Sequence, residues 1–270
     1  MSNLTLNDSP ETFKEFYGRI IDTMPLLIGE GRVPLSMQGV MQARLASLNS
    51  DNDAFRSSWF NNYFDTGDAI VYHPEGRIKV VLDAQQLRDL TPDSKLRDGA
   101  LVLEDGIFET LDGQEFSKTD VQNYAQNRVL TQEEVVNNPI WQSLARNPEL
   151  LKTYAGEIFS QAQTRFKRDH NMGVYVTGAP KEPLMRAWLL ASLRDGDISD
   201  AGGGSLGGGS GRLVGVSGGA TRIGVEAVEL EKLVSQAVFR PSSDEILAVI
   251  NNPDLNREGM IRAVSELYEQ

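Results

Sequence analysis

The sequence predicts a mixed α+β fold that is mostly helical and carries a small antiparallel sheet. Apolar residues recur every three or four positions along most of the chain, which is the spacing of one helix face. Residues 66–117 instead carry short β-rich runs between turns, which predicts a meander of about four antiparallel strands. A second strand pair is predicted at 172–176 and 212–216. A helix over 183–193 links these two strands, an order that allows them to pair in parallel.

A helix is predicted near the N-terminus. The Ser-Pro-Glu sequence at 9–11 supplies an N-cap residue, a proline at the first helical position and an acidic first turn. Apolar residues at helical spacing over 13–24 form one face, and Pro25 is expected to end the helix. A second helix is predicted from about Ser36 to Leu48 on the same periodicity.

Two hairpins are predicted within the meander. The first joins β-rich runs at 69–73 and 77–82 through a Pro-Glu-Gly turn. The second joins runs at 100–104 and 107–111 through Asp-Gly, the strongest short hairpin signal in the chain.

Capping patterns then mark a return to helices. Ser117 with Asp120 and Thr131 with Glu134 have the spacing of a capping box. Asn-Pro pairs at 138–139 and 147–148 place a capping asparagine before a first-turn proline. We therefore expect helices to begin at these four points, the last of them long.

A glycine-rich segment interrupts the chain at 201–210. Two Gly-Gly-Gly-Ser units flank Leu206, and such sequence is typical of a flexible linker because it has little to bury and high backbone entropy. The regularity of the units suggests engineering, either by loop replacement, by fusion of two chains or by joining permuted termini. The resulting division is a main body at 1–200, a flexible linker at 201–211, and a strand with three helices at 211–270.

Composition excludes several classes of protein. The chain has 270 residues, no cysteine, two histidines, 26 basic and 38 acidic residues, and a net charge of −12. Disulfide scaffolds, thiolate nucleophiles and cysteine-based metal sites are therefore excluded. The negative charge disfavours nucleic acid and anionic membranes as partners. No apolar run is long enough to span a bilayer and no signal peptide is visible, so a cytoplasmic location is expected.

The best candidate site is the loop at 217–222, which follows a predicted strand and precedes a predicted helix. Its backbone N–H groups can face an anion, as at other strand-to-helix junctions. The residues expected to bind are Ser217, Gly218, Gly219, Thr221 and Arg222. The loop matches no established phosphate-binding motif, and a simple turn is the competing interpretation.

Other candidates are weaker. Asp195, Asp197 and Asp200 lack the pattern of a calcium loop, so no metal site is predicted. The tripeptide at 65–67, Asp-Thr-Gly, occurs in aspartic proteases, but no second copy exists and the protease interpretation is rejected. Asp169-His170 and His73 are interpreted as surface or capping groups.

Two functions remain open. The first is a non-enzymatic intracellular binding or assembly protein that acts through a protein partner or self-association and needs no cofactor. The alternative is an enzyme or sensor that binds a small phosphorylated ligand at 217–222. The sequence identifies neither the ligand nor the oligomeric state.

Overall fold

The structure is a computed structural model that describes residues 4–6, 12–194 and 198–217. These residues belong to one unit of the chain, Met1–Gly224. The three helices predicted between 225 and 268 lie outside the described residues.

Eleven strands of the described chain form one mixed sheet. They are β1 (Phe13–Gly18), β2 (Arg32–Pro34), β3 (Phe64–Tyr72), β4 (Ile78–Val81), β5 (Leu96–Arg97), β6 (Ala100–Val102), β7 (Gln114–Phe116), β8 (Val174–Tyr175), β9 (Leu184–Leu190), β10 (Ala201–Gly203) and β11 (Gly211–Ser217).

The helices lie between these strands. They are α1 (Ile20–Gly29), α2 (Met37–Leu48), α3 (Asp53–Phe60), α4 (Gln85–Arg88), α5 (Ile107–Thr110), α6 (Lys118–Tyr124), α7 (Gln132–Asn137), α8 (Pro139–Ala145) and α9 (Pro148–Phe166).

The main path of the sheet runs in the order β1-β11-β3-β9-β10-β8. The first and last described strands, β1 and β11, are antiparallel neighbours with Phe13 opposite Val216. Strand β11 then meets β3 in parallel at a single pair, Leu213 and Asp65. The strands nearest the two ends of the described chain are therefore hydrogen-bonded neighbours in the sheet.

Apolar residues cover both faces of the central strands. In β3, Ile70 and Tyr72 belong to a core with the large helices, whereas Ala69 and Val71 belong to a second core. Successive side chains of a strand point to opposite faces, so the two cores lie on opposite sides of the sheet. The first core holds the buried Trp59, Trp141 and Trp188, and the second holds residues of α1 and α4.

The prediction of a mostly helical fold is wrong, because the sheet has eleven strands and occupies the centre. The clearest disagreement concerns β9. The sequence predicts a helix over 183–193, but this segment contains a strand that pairs with β3. Five of the seven β9 residues are buried. A strand buried on both faces loses its alternation and resembles a buried helix in sequence.

The second strand pair is also wrong in its pairing. Segments 172–176 and 212–216 do contain strands, β8 and β11, but three strands separate them in the sheet. The connection between them runs through β9 and β10 rather than through a helix. Strand β8 pairs in parallel with β10, the glycine-rich strand that the sequence predicted to be a linker.

The N-terminal helix and the meander are corrected in part. Residues 13–18 form β1, and the helix begins only at Ile20 and continues through Pro25.

The hairpin of β3 and β4 is confirmed. The Asp105-Gly106 hairpin is wrong, because Gly106 has φ 81° and leads into the short helix α5. Strand β6 turns back onto β5 instead.

The predicted caps are confirmed. Ser117 and Thr131 each accept a hydrogen bond from the third helical N–H, and Asp120 and Glu134 complete the two capping boxes. The side chains of Asn138 and Asn147 cap α8 and α9, each of which has a proline in its first turn. Local hydrogen bonding within four residues decides these positions, which explains why sequence alone identifies them.

The glycine-rich segment is part of the sheet, in contrast to the flexible linker expected at 201–211. Strand β10 lies between β9 and β8. After it the chain forms a turn, residues 204–210, in which Leu206 is fully buried in the second core. The Leu206 N–H donates to the Gly99 carbonyl at 2.7 Å, and its carbonyl accepts from Ile21 N–H at 3.1 Å.

Several of these glycines sit where a side chain has no room. A Cβ on Gly203 would lie 2.8 Å from the Tyr72 Oη, and one on Gly211 would lie 2.6 Å from the Gly18 carbonyl oxygen. Gly209, by contrast, faces open space. The packing of this segment against its neighbours therefore requires glycine at particular positions.

This difference predicts a contrast between two alanine variants. Gly211→Ala must displace backbone between β1 and β11, so we expect it to lower the free energy of unfolding by about 1–3 kcal/mol. Gly209→Ala is the matched control and should change it by less than about 0.5 kcal/mol. Urea unfolding of the two variants measures this, and equal unfolding midpoints would contradict the packing described here.

Candidate functional site

A cavity opens beside the glycine-rich turn. Its volume is about 350 Å³, near the lower end of the range for small-molecule sites. We call it the Asp65 cleft. It is lined by Tyr63, Asp65, Leu189, Ala191, Ser192, Arg194, Gly204, Ser205, Gly208, Ser210 and Gly211.

Three segments that are distant in sequence form this cleft. The start of β3 supplies Asp65, the end of β9 and the residues after it supply one wall, and the turn after β10 supplies the other. They meet because β3 pairs with β9 on one side and with β11 on the other. The pairing register shifts between Asp65 and Ala69, and interruptions of a strand ladder often lie beside functional sites.

Asp65 is the buried acidic group of the cleft. Asp65 is only 3% exposed to solvent. Its Oδ2 accepts a hydrogen bond of 2.8 Å from the Arg212 backbone N–H. Gly204 lies directly against Oδ1, and a Cβ there would overlap this oxygen. Burial raises the pKa of Asp65 to about 7, while the Arg212 N–H and the charge of Arg212 oppose the shift only in part.

The guanidinium of Arg212 is directed away from this carboxylate. Its Nε lies 2.8 Å from a carboxylate oxygen of Glu15, and its Nη1 donates to the Asn62 side chain. The guanidinium carbon lies 5.2 Å from the ring centre of Tyr17 and 5.4 Å from that of Tyr63. Tyr17 is directly opposite Arg212 in the β1–β11 register, so sheet pairing sets this stack.

Arg44 fixes two of the segments around the cleft by hydrogen bonds. It is fully buried and donates to five oxygens, which are Trp59 O at 3.0 Å, Asn62 O at 3.0 Å, Ala191 O at 2.9 Å, Tyr154 Oη at 2.8 Å and Ser199 Oγ at 3.1 Å. Ala191 lines the cleft and Asn62 binds Arg212. One side chain of α2 thereby fixes two of the segments that surround the cavity.

The sequence-predicted site is described only at its first residue. Ser217 ends β11, and its N–H donates to the Thr12 carbonyl at 3.1 Å. It does not line the Asp65 cleft. Gly218, Gly219, Thr221 and Arg222 lie outside the described residues, so phosphate binding at 217–222 stays a prediction.

The two histidines lie in other surroundings. His73 packs against the Phe108 ring, with 4.8 Å between ring centres, in an ion-pair cluster around Arg77. His170 Nδ1 lies 2.8 Å from a carboxylate oxygen of Asp169. Asp195 and Asp197 are not described. Within the ranges that the structure describes, no three His, Asp or Glu side chains group in a way that could hold a metal ion.

Sequence reasoning missed the cleft, although it considered Asp65 as part of the Asp-Thr-Gly tripeptide. The available signal was an unusual strand: Asp65, Thr66 and Asp68 are polar, yet every residue of β3 is buried. Thr66 donates to the Trp188 carbonyl at 2.9 Å and Asp68 accepts from the Met37 N–H at 2.7 Å. Asp68 also pairs with the Arg146 guanidinium, whereas Asp65 has only the backbone N–H of Arg212 as a described partner and lines the cavity.

Comparison with known proteins gives a fold. No protein-family model and no curated protein sequence matches the chain. The structure is similar to a solved structure from the Nanoarchaeota, described under the words "Accommodation of massive sequence variation in Nanoarchaeota by the C-type lectin fold". The TM-score is 0.57 at 16% sequence identity, over 78% of this chain and 100% of that one. The shared fold is the C-type lectin fold. At this identity the likeness extends to the fold alone.

None of the described helices combines the length and apolarity that crossing a bilayer requires.

The buried carboxylate predicts a pH dependence of stability. An unfolded aspartate titrates near pH 4 and the folded Asp65 near 7. Between these values the folded state binds more protons, so the stability contributed by the protonated carboxyl is lost as pH rises to about 7, by up to about 4 kcal/mol.

The variant Asp65→Asn removes this titration and still offers an oxygen to the Arg212 N–H. Its stability relative to the natural chain should rise between pH 5 and pH 8. Urea unfolding of both proteins at the two pH values measures the change. A stability difference that is the same at both pH values would show that the carboxylate is not raised in pKa.

Arg44 gives a second prediction. Arg44→Lys keeps the charge but replaces three donor nitrogens with one, which leaves at least two buried oxygens without a donor. Each such oxygen costs about 1–3 kcal/mol, so we expect a loss of about 3 kcal/mol in the free energy of unfolding. The control is Arg19→Lys at an exposed ion pair with Asp22, which should cost under about 0.5 kcal/mol. Similar losses in the two variants would contradict the role given to Arg44.

Proposed function

We propose that this chain is a non-enzymatic binding protein that takes its ligand into the Asp65 cleft. The observation that carries the proposal is a nearly fully buried carboxylate that lines an open cavity and contacts no side-chain cation among the residues that the structure describes. Burying a charge without a paired ion is costly. A ligand that supplies the missing partner would recover part of this cost, which gives binding a physical driving force.

The walls of the cleft support recognition rather than chemistry. The turn at 204–210 presents peptide groups with few side chains between them, so a ligand can approach the backbone closely. Leu206 anchors this turn in the core and Arg44 holds the opposite segment. Rigid support of this kind reduces the ordering that binding would otherwise cost.

The ligand group can be carried by a protein partner, as the sequence analysis proposed. A cavity of about 350 Å³ accommodates one large side chain and its flanking backbone. The solved structure that shares this fold is presented as an accommodation of massive sequence variation by the C-type lectin fold.

The glycine-rich segment has a structural explanation in this proposal. Gly203, Gly204 and Gly211 fill positions where a Cβ would collide with neighbours. An engineered origin of 201–210 and a cytoplasmic location stay predictions on the sequence alone, and neither is needed for the proposed function.

A comparison of two cavities tests the proposal. A second cavity of about 340 Å³ lies between α3 and α9, with Ser57 at its edge. We expect a panel of small amines, alcohols, amides and carboxylates to shift the amide resonances of Tyr63, Ser192 and Gly204 in ¹H–¹⁵N spectra. The same panel should leave the second cavity unchanged.

Blocking variants make the test specific. Ser210→Trp fills the mouth of the Asp65 cleft and should abolish the shifts. Ser57→Trp places the same bulk at an exposed serine of the other cavity and should preserve them. Shifts that survive Ser210→Trp, or a panel that perturbs neither cavity, would reject the proposed function.

A further inference from the structure

Within the described ranges, Asp65 has a backbone hydrogen bond but no side-chain cation in contact, which points to the chemistry of the ligand. Its hydrogen bond comes from a neutral backbone N–H, on Oδ2. Its Oδ1 lies against Gly204, where a Cβ would overlap the oxygen, and both residues line the cavity. A carboxylate in this state favours a donor that carries positive charge, because charge-assisted hydrogen bonds are about twice as strong as neutral ones.

The nearby cation does not fill this role. Arg212 contributes its backbone to Asp65, while its guanidinium pairs with Glu15 and Asn62. The rings of Tyr17 and Tyr63 hold it in that position. Moving it to Asp65 would break the Glu15 pair and leave that carboxylate, whose side chain is only 11% exposed, without its cation.

The other groups around the cleft are compatible with a cationic ligand. Ser205 and Ser210 line the cavity and carry hydroxyl oxygens. Among the described residues, the charged or ionisable side chains around the cleft are Arg212 on β11 with its partner Glu15, Arg194 at the rim and Tyr63. Arg194 is exposed, so solvent ions screen its repulsion of a ligand.

From this arrangement we infer that the Asp65 cleft binds an alkylammonium group, with the Asp65 carboxylate as its counter-ion. The inference rests on the proposed function and specifies its ligand. The alkyl chain lies along Leu189 and Ala191, the apolar side of the cavity. The ammonium donates to Oδ1 of Asp65. The group can come from a free amine or from a lysine of a partner protein.

Binding of the cation competes with binding of a proton at the same carboxylate. Because burial raises the pKa of Asp65 to about 7, most of the carboxyl is protonated at pH 6 and ionised at pH 8. The dissociation constant of an ammonium ligand should therefore be about tenfold larger at pH 6 than at pH 8. This dependence is measured on the natural chain and does not rely on the folding of any variant.

The experiment is a titration of the full chain with butylammonium, followed by the amide resonances of Gly204 and Arg212. 1-Butanol is the uncharged control of the same shape and butyrate is the anionic one. We expect butylammonium to bind at least about tenfold more tightly than 1-butanol at pH 8. Nα-acetyl-lysine methylamide, which keeps the side-chain ammonium, is compared with butylammonium. The comparison shows whether the cleft prefers a lysine side chain of a peptide or a free amine.

Two variants of equal charge change complete the test. Asp65→Asn should weaken butylammonium binding at least about tenfold, whereas Asp93→Asn, at an exposed carboxylate, should leave it unchanged. Equal binding of 1-butanol, or butylammonium binding that survives Asp65→Asn, would overturn the inference.

The outcomes also separate the two proposals. Binding of 1-butanol or butyrate at the cleft without butylammonium would reject the cation and leave the proposed function standing. The absence of binding by all three probes and by the wider panel would reject both.

Discussion

The close approach of the glycine-rich turn to the start of β3 is the constraint on which the site depends. Gly204 lies against the Asp65 carboxylate, where a side chain would overlap Oδ1. This contact covers one side of the Asp65 carboxylate and places the turn as a wall of the cleft. The same segment inserts Leu206 into the second core and continues into β11, which closes the sheet against β1. Burial of the carboxylate and closure of the fold are thus consequences of one chain path.

Arg44 complements this constraint from the opposite side of the sheet. A buried arginine is tolerated when its donors are all satisfied, and here five oxygens from four separate parts of the chain accept from it. The segments after α3 and after β9 are held at fixed distance by this one side chain. The cleft therefore lies between a glycine wall that packs tightly and a wall that is pinned by hydrogen bonds, which leaves the cavity preformed.

Sequence patterns predicted what is local and failed where distant segments decide the outcome. The capping boxes at Ser117 and Thr131 and the β3–β4 hairpin follow from neighbouring residues, and all are present. The helical interpretation of β9 failed because burial on both faces removes the alternation that marks a strand. The glycine-rich segment looked like a linker because the partners that require its glycines, among them Tyr72 and Gly18, are far away in sequence. Asp65 was noticed but not chosen, since its isolation from a cation is visible only once β11 places Arg212.

Hydrogen exchange of the backbone amides at 201–211 tests most directly whether this segment is a built part of the fold. The N–H groups of Ala201, Gly204 and Leu206 donate to Gly173 O at 3.0 Å, Ala187 O at 2.8 Å and Gly99 O at 2.7 Å. We predict that these three amides exchange as slowly as those of the central strand β9, while Gly209 exchanges rapidly. Uniformly fast exchange from 201 to 211 would instead identify a flexible linker and contradict the account of the cleft.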